Sequence, residues 1–149
     1  MRRLRLLLVV CLAAGALIAV SQVAKGKPEH EMNVTVLAAQ VKSLSGHRAI
    51  FAGYSKGNPF GKSATIIRGV LEDPYILVAF KFTVYGRRGT ATGTADLKTT
   101  DGGQTYTGTG RFKRGTGVYD DINDYLNITG SYDSGTGVLT LHATRGTGG

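Results

Sequence analysis

Tryptophan is absent from this chain of 149 residues, cysteine occurs once, methionine twice and proline three times. Each scarcity excludes something. The lone cysteine, Cys11, lies inside the apolar run Leu6–Val20, so the chain beyond it forms no disulfide and offers no thiol as nucleophile or metal ligand. Stability then rests on packing and hydrogen bonds, which calls for one compact domain rather than a small stapled scaffold. That apolar run is about 15 residues long, short of the roughly 20 that span a bilayer as a helix. Acids are few as well, 10 against 18 Lys and Arg, for a net charge of +8.

The start of the chain reads as an export signal. Arg2, Arg3 and Arg5 make a basic leader to the Leu6–Val20 run, and Ala19 and Ser21 supply small residues at positions −3 and −1 of a cut after Ser21. Arg5 stands where a twin-arginine signal carries an aromatic, and Val10 precedes Cys11 where a lipoprotein signal needs a small residue. The expectation is a signal peptide at 1–21, a polar tail at 22–31 and one domain at 32–149. The product is secreted or periplasmic by the general secretory route, with no membrane span left after cleavage. Removing three arginines leaves 15 bases against 10 acids, a net charge of about +5. Those bases are scattered: Lys25 and Lys27 in the tail, Arg87 and Arg88 at a turn, Arg111, Lys113 and Arg114 at a strand end. A nucleic-acid module shows a concentrated stripe, so nucleic acid is not an expected partner. Weak attraction to anionic polymers of the cell envelope is compatible with the charge.

What the chain has in abundance is glycine, 22 residues, and period-two alternation. Thr alternates with Gly or Ala along Thr90–Ala95, which puts hydroxyls on one face and almost nothing on the other. Glycine in a strand marks close backbone approach or a sharp bend, both needed by a small closed barrel. Eight runs show the strand pattern: Asn33–Val41, Arg48–Tyr54, Lys62–Leu71, Tyr75–Tyr85, Thr90–Lys98, Thr105–Arg114, Tyr125–Tyr132 and Val138–Arg145. Turn chemistry separates them, as at Asp101-Gly102-Gly103 and Asp133-Ser134-Gly135, and Val118–Asp124 has room for one helical turn. The predicted fold is all-β, an eight-stranded antiparallel up-and-down barrel, closed because an open meander would expose two edges. Parity on the fourth run puts Ile76, Val78, Phe80, Phe82 and Val84 on one face and Leu77, Ala79, Lys81, Thr83 and Tyr85 on the other. The second set is only partly polar, which makes this strand the place to look for a homo-oligomer, a dimer or a trimer.

From Gly108 to Gly130 the chain resembles the allene oxide cyclase and dirigent superfamily. The matching elements are Gly108-Thr109-Gly110-Arg111-Phe112 for its G-x-G-x-F strand, Gly115-Thr116-Gly117-Val118-Tyr119 for its G-T-G-x-[YF] turn, and Leu126–Gly130 for the next strand. Gly89–Leu97 resembles the preceding strand of the bacterial members, so the likeness runs from about Lys62 to Ala143. It implies an exported eight-stranded barrel, a trimer, and binding of a small hydrophobic or phenolic ligand whose reactivity it steers. The alternatives are an allene oxide cyclase-like isomerase and a structural or surface-interaction barrel with a filled core. The mature chain lacks the cysteine found in the cyclase pocket and the cysteine pair of plant dirigent proteins. A lipocalin is excluded, since its G-x-W start needs a tryptophan.

Candidate sites follow from chemistry. Asp120, Asp121 and Asp124 crowd one loop, as proton-transfer acids at a barrel mouth or as turn-capping residues of a solvated rim. Their spacing matches no EF-hand, and no metal or cofactor is expected. Arg68 is a catalytic cation if its face of the third strand is interior, and a surface residue if Ile67, Gly69 and Leu71 point inward. Tyr106, Phe112, Tyr119 and Tyr132 are the candidate ligand-lining aromatics, with Tyr54, Tyr75, Tyr85 and Tyr125 as further tyrosines at strand ends. His142 has no partner at ligand spacing. Asn33 and Asn127 match the glycosylation sequon, relevant only in a eukaryotic host.

Overall fold

Alternation of small or polar residues with apolar ones carries straight into the architecture. The computed structural model describes residues 31–72 and 76–147. The expected signal peptide, residues 22–30 of the tail and Tyr75 lie outside the described residues. Eight strands follow in order: β1 Asn33–Leu44, β2 Arg48–Asn58, β3 Ser63–Leu71, β4 Leu77–Gly86, β5 Gly89–Lys98, β6 Thr105–Gly115, β7 Tyr125–Asp133 and β8 Val138–Arg145. Each pairs antiparallel with the next, and β1 closes the barrel on β8 from Asn33↔Thr144 to Ala39↔Val138. No edge remains for another chain to extend. The predicted helical turn is a 3₁₀ turn at Gly117–Tyr119, on the β6–β7 connection.

Inward residues on β5 are Ala91, Gly93, Ala95 and Leu97, while Thr90, Thr92, Thr94, Asp96 and Lys98 face out. The small residues leave no empty channel. A Cβ on Gly93 would run into the Phe82 ring, which means that the ring occupies the room the glycine vacates. Gly117 answers the other need of a glycine, since its φ of +62° turns the chain back over the rim against the Arg88 carbonyl.

The expected parity of β4 needs correction at its start. Val70 pairs with Ala79 but Leu71 pairs with Leu77, so one extra residue, Val78, is taken up as a bulge. The phase reverses there: Leu77 turns inward and is 2% exposed, while Phe80, Phe82 and Val84 keep the expected inward face. Similar shifts occur between Gln40 and Lys42 on β1 and between Thr92 and Gly93 on β5. The largest extensions past the expected ends are those of β1, to Leu44, and β2, to Asn58.

Candidate functional site

Two places invite function, the barrel interior and its outer wall. Inside, the aromatics gather at the end that carries the 3₁₀ turn. Phe60 stacks on Phe112 at 5.3 Å and on Tyr119 at 4.9 Å, and Phe82 meets Phe112 edge-on at 5.1 Å. The Tyr119 hydroxyl donates to the Pro59 carbonyl at 3.3 Å, which ties this plug to the β2–β3 connection. At the opposite end Tyr106 is 2% exposed and reaches past β5, where its hydroxyl accepts a hydrogen bond from Leu77 N–H at 3.3 Å. Burial is the main cause that raises the Tyr106 pKa. Tyr132 packs, half-buried, against the same core.

Between the plugs lies an apolar void of about 40 Å³, bounded by Val36, Ile67, Phe80, Phe82, Phe112 and Ile128 among others. Pockets that enclose small molecules run to roughly 300–1,000 Å³. The buried polar side chains among the described residues are Ser55, Ser63 and Thr65. Thr65 donates to Ser55 Oγ at 2.9 Å and Ser63 donates to the Phe60 carbonyl at 2.9 Å, and among the described residues no buried side-chain polar atom is left without a partner. Of the four aromatics expected to line a pocket, Phe112 alone borders the void.

The three aspartates do not converge. Asp120 is exposed and follows the 3₁₀ turn, its N–H bonded to the Gly117 carbonyl. Asp121 is exposed at the same rim. Asp124 is held in an ion pair, Arg145 Nη2 donating to its Oδ1 at 2.6 Å. Neighbouring Asn123 accepts from Arg111 Nε at 2.9 Å, and the same guanidinium lies 4.6 Å over the Tyr125 ring. The loop is thus stitched to β6 and β8 by side chains already engaged. No cluster of three His, Cys, Asp or Glu among the described residues is placed to hold a metal. His142 is exposed and bonds Thr35 across β8 and β1 at 3.2 Å, and Asn33 and Asn127 are both exposed.

Arg68 sits on the outer wall, because Ile67, Gly69 and Leu71 take the inward positions of β3. There it joins residues that sequence reading left scattered. Cross-strand rows on β2–β3–β4 run Tyr54–Ala64–Tyr85, then Ala52–Ile66–Thr83, then Ile50–Arg68–Lys81, then Arg48–Val70–Ala79. Tyr54 and Tyr85 are 55% and 44% exposed and flank Ala64 in an open groove of about 540 Å³, whose rim holds Lys56, Lys62 and Arg87. A second groove of about 470 Å³ lies along Arg48, Arg68 and Lys81, with Asp96 of β5 at its edge. The strand sequences of β2, β3 and β4 contain no acid. The signal for this wall was present as alternation: basic or tyrosine residues at outward parity on three successive strands.

Fold and contents define the class, an all-β closed barrel of eight antiparallel strands with a packed interior. Comparison of the chain with protein-family models, with curated proteins and with solved structures finds no match. Among the described residues no helix is long and apolar enough to cross a membrane.

Proposed function

We propose that this protein is an exported surface-interaction barrel, a non-enzymatic scaffold whose interior is structural and whose outer wall does the binding. The observation that carries this reading is the void of about 40 Å³, apolar and without an unpartnered polar atom beside it. A dirigent-like pocket needs an enclosure several times larger with polar groups to orient a ligand. A cyclase needs a buried acid or base, whereas Ser55, Ser63 and Thr65 are the buried polar residues described and each is engaged. Kinship with the allene oxide cyclase and dirigent superfamily, supported by the Gly108–Gly130 motifs, then concerns the scaffold rather than an activity. Export is supported by the basic leader and the Leu6–Val20 run.

Native mass spectrometry of the protein purified from its own host's envelope or medium tests the reading. The expected result is a clean protein mass before and after denaturation. A small molecule released on denaturation overturns it in favour of the pocket.

A further inference from the structure

We propose that the outer wall of β2–β4 is a docking surface for an acidic polysaccharide, with Tyr54 and Tyr85 stacking on sugar rings and Arg68 and Lys81 pairing with its anionic groups. The inference rests on the surface-interaction reading and names the partner of that surface. Its first support is electrostatic. Arg68 and Lys81 stand directly opposite each other on neighbouring strands, a pairing of like charges that destabilises a sheet unless something anionic answers it. Among the described residues neither has an acid partner. Arg48 lies one row away, its Nε bonded to the Ser45 carbonyl at 3.1 Å. Three strands without a carboxylate leave the wall predominantly positive, with Asp96 of β5 at the edge of the groove.

The second support is aromatic. Large rings on a sheet surface tend to pack on neighbours, yet the row between Tyr54 and Tyr85 is filled by Ala64, which leaves a flat-floored groove between the rings. The two tyrosines sit on strands two apart, roughly 10 Å between backbones. The C–H faces of pyranose rings stack on such platforms.

The order of rows selects the polymer. Along β3 the sequence is Lys62 with Lys56 and Arg87, then the tyrosine row, then the uncharged Ala52–Ile66–Thr83 row, then Arg68 and Lys81. The two cation belts are separated by six residues of β3, roughly 20 Å. A chain whose every sugar offers a C–H face to a tyrosine and an anionic edge to a cation answers both kinds of row. A nucleic acid is disfavoured by the export reading, which takes the protein out of the compartment where nucleic acids are kept. A second copy is disfavoured too, since a twofold contact through this face sets Arg48, Arg68 and Lys81 near their own counterparts.

Binding of sodium polygalacturonate, neutral dextran and a single-stranded oligothymidylate to protein made from the full chain is the test, followed by titration at several salt concentrations. Polygalacturonate binds and dextran does not, if the inference holds. Tyr54→Ala and Tyr85→Ala each weaken binding by roughly five- to tenfold with the salt slope unchanged, and Tyr54→Phe keeps the affinity. Joint Arg68→Gln and Lys81→Gln substitution lowers the salt slope by about one per cation removed. Melting temperatures within a few degrees of the parent show that the variants fold. Polygalacturonate binding indifferent to all these substitutions overturns the inference. Equal binding of oligothymidylate with the same variant pattern overturns it in favour of nucleic acid, and a dimer lost in the same variants overturns it in favour of a self-interface. No polygalacturonate binding with a clean native mass removes this inference alone, whereas a released small molecule removes the reading beneath it.

Discussion

Phe82→Ala tests whether packing or a ligand fills the barrel. Phe82 is buried, lies over Gly93, contacts Phe80 at 5.9 Å and Phe112 at 5.1 Å, and borders the central void. Losing the ring forfeits about 2 kcal/mol of transfer free energy. It also leaves a space of about 100 Å³, which at about 24 cal/mol per Å³ adds about 2.4 kcal/mol. The expected loss is therefore about 3–5 kcal/mol, since β-strands on either side limit collapse. For a domain of this size each kcal/mol lowers the melting temperature by roughly 4 °C, so the variant should melt roughly 12–20 °C below the parent. Merged with the existing void, the new space reaches about 140 Å³, the scale at which an apolar cavity stays dry and takes up benzene or xenon. The assay is thermal unfolding by circular dichroism with and without saturating benzene. Benzene should raise the melting temperature of Phe82→Ala through preferential binding to the folded state and leave the parent unmoved. A parent stabilised by benzene, or a Phe82→Ala cost below about 1 kcal/mol, would refute the filled interior.

Three further outcomes follow from individual contacts. Thr65→Val strips the fully buried Ser55 hydroxyl of its donor and should cost about 1–3 kcal/mol in urea unfolding; adding Ser55→Ala should recover at least half, because no polar atom is then stranded. Tyr106→Phe leaves the buried Leu77 N–H without its acceptor and should cost about 1–2 kcal/mol, and a stability equal to the parent would show that the 3.3 Å bond contributes nothing. Asp101 accepts from the Thr105 hydroxyl and N–H and from the Thr99 hydroxyl, which lowers its pKa from 3.8 to about 2. A depressed folded-state pKa contributes stability above the unfolded value that is lost as pH falls from about 4 to about 2. Asp133, lowered first by Thr136 and then by Gly135, acts in the same direction. Melting temperatures of Asp101→Asn should fall less steeply than the parent's across that acid range, and superimposable acid limbs would sink the assignment.

Most of the fold was legible because each strand announces itself by nearest-neighbour alternation, and each turn by residues suited to it. Asp101 and Asp133 illustrate the second point: side chains marked as turn formers do accept the N–H groups of Gln104 and Thr105, and of Gly135 and Thr136. The slip at Leu71/Leu77 was not legible. A bulge is decided by how two strands must bend together to close the barrel, and Val78 looks like any other apolar strand residue. The aspartate loop drew notice as a dense polar cluster, yet Asp124 is committed to Arg145 on β8, 21 residues away, a contact set by the register of β7 on β8.

The site was the least legible part. Tyr106, Phe112, Tyr119 and Tyr132 were expected as ligand-lining aromatics, and only Phe112 borders the void, because whether aromatic rings line a pocket or fill one depends on where they meet. Thr-Gly-Thr-Ala repeats could equally have left a channel. Only the tertiary arrangement, which brings Phe82 of β4 over Gly93 of β5, turns missing side chains into occupied volume. Charge obeyed the same logic. Arg48, Lys56, Lys62, Arg68, Lys81 and Arg87 are dispersed along the chain and gather on one wall because the pairing of β2, β3 and β4 brings distant positions side by side. The sequence by itself determined the strands, their turns and which faces were apolar, since these depend on residues a few positions apart. What fills the barrel and what its outer wall presents were decided by the tertiary structure, because both depend on residues that only the register of neighbouring strands makes adjacent.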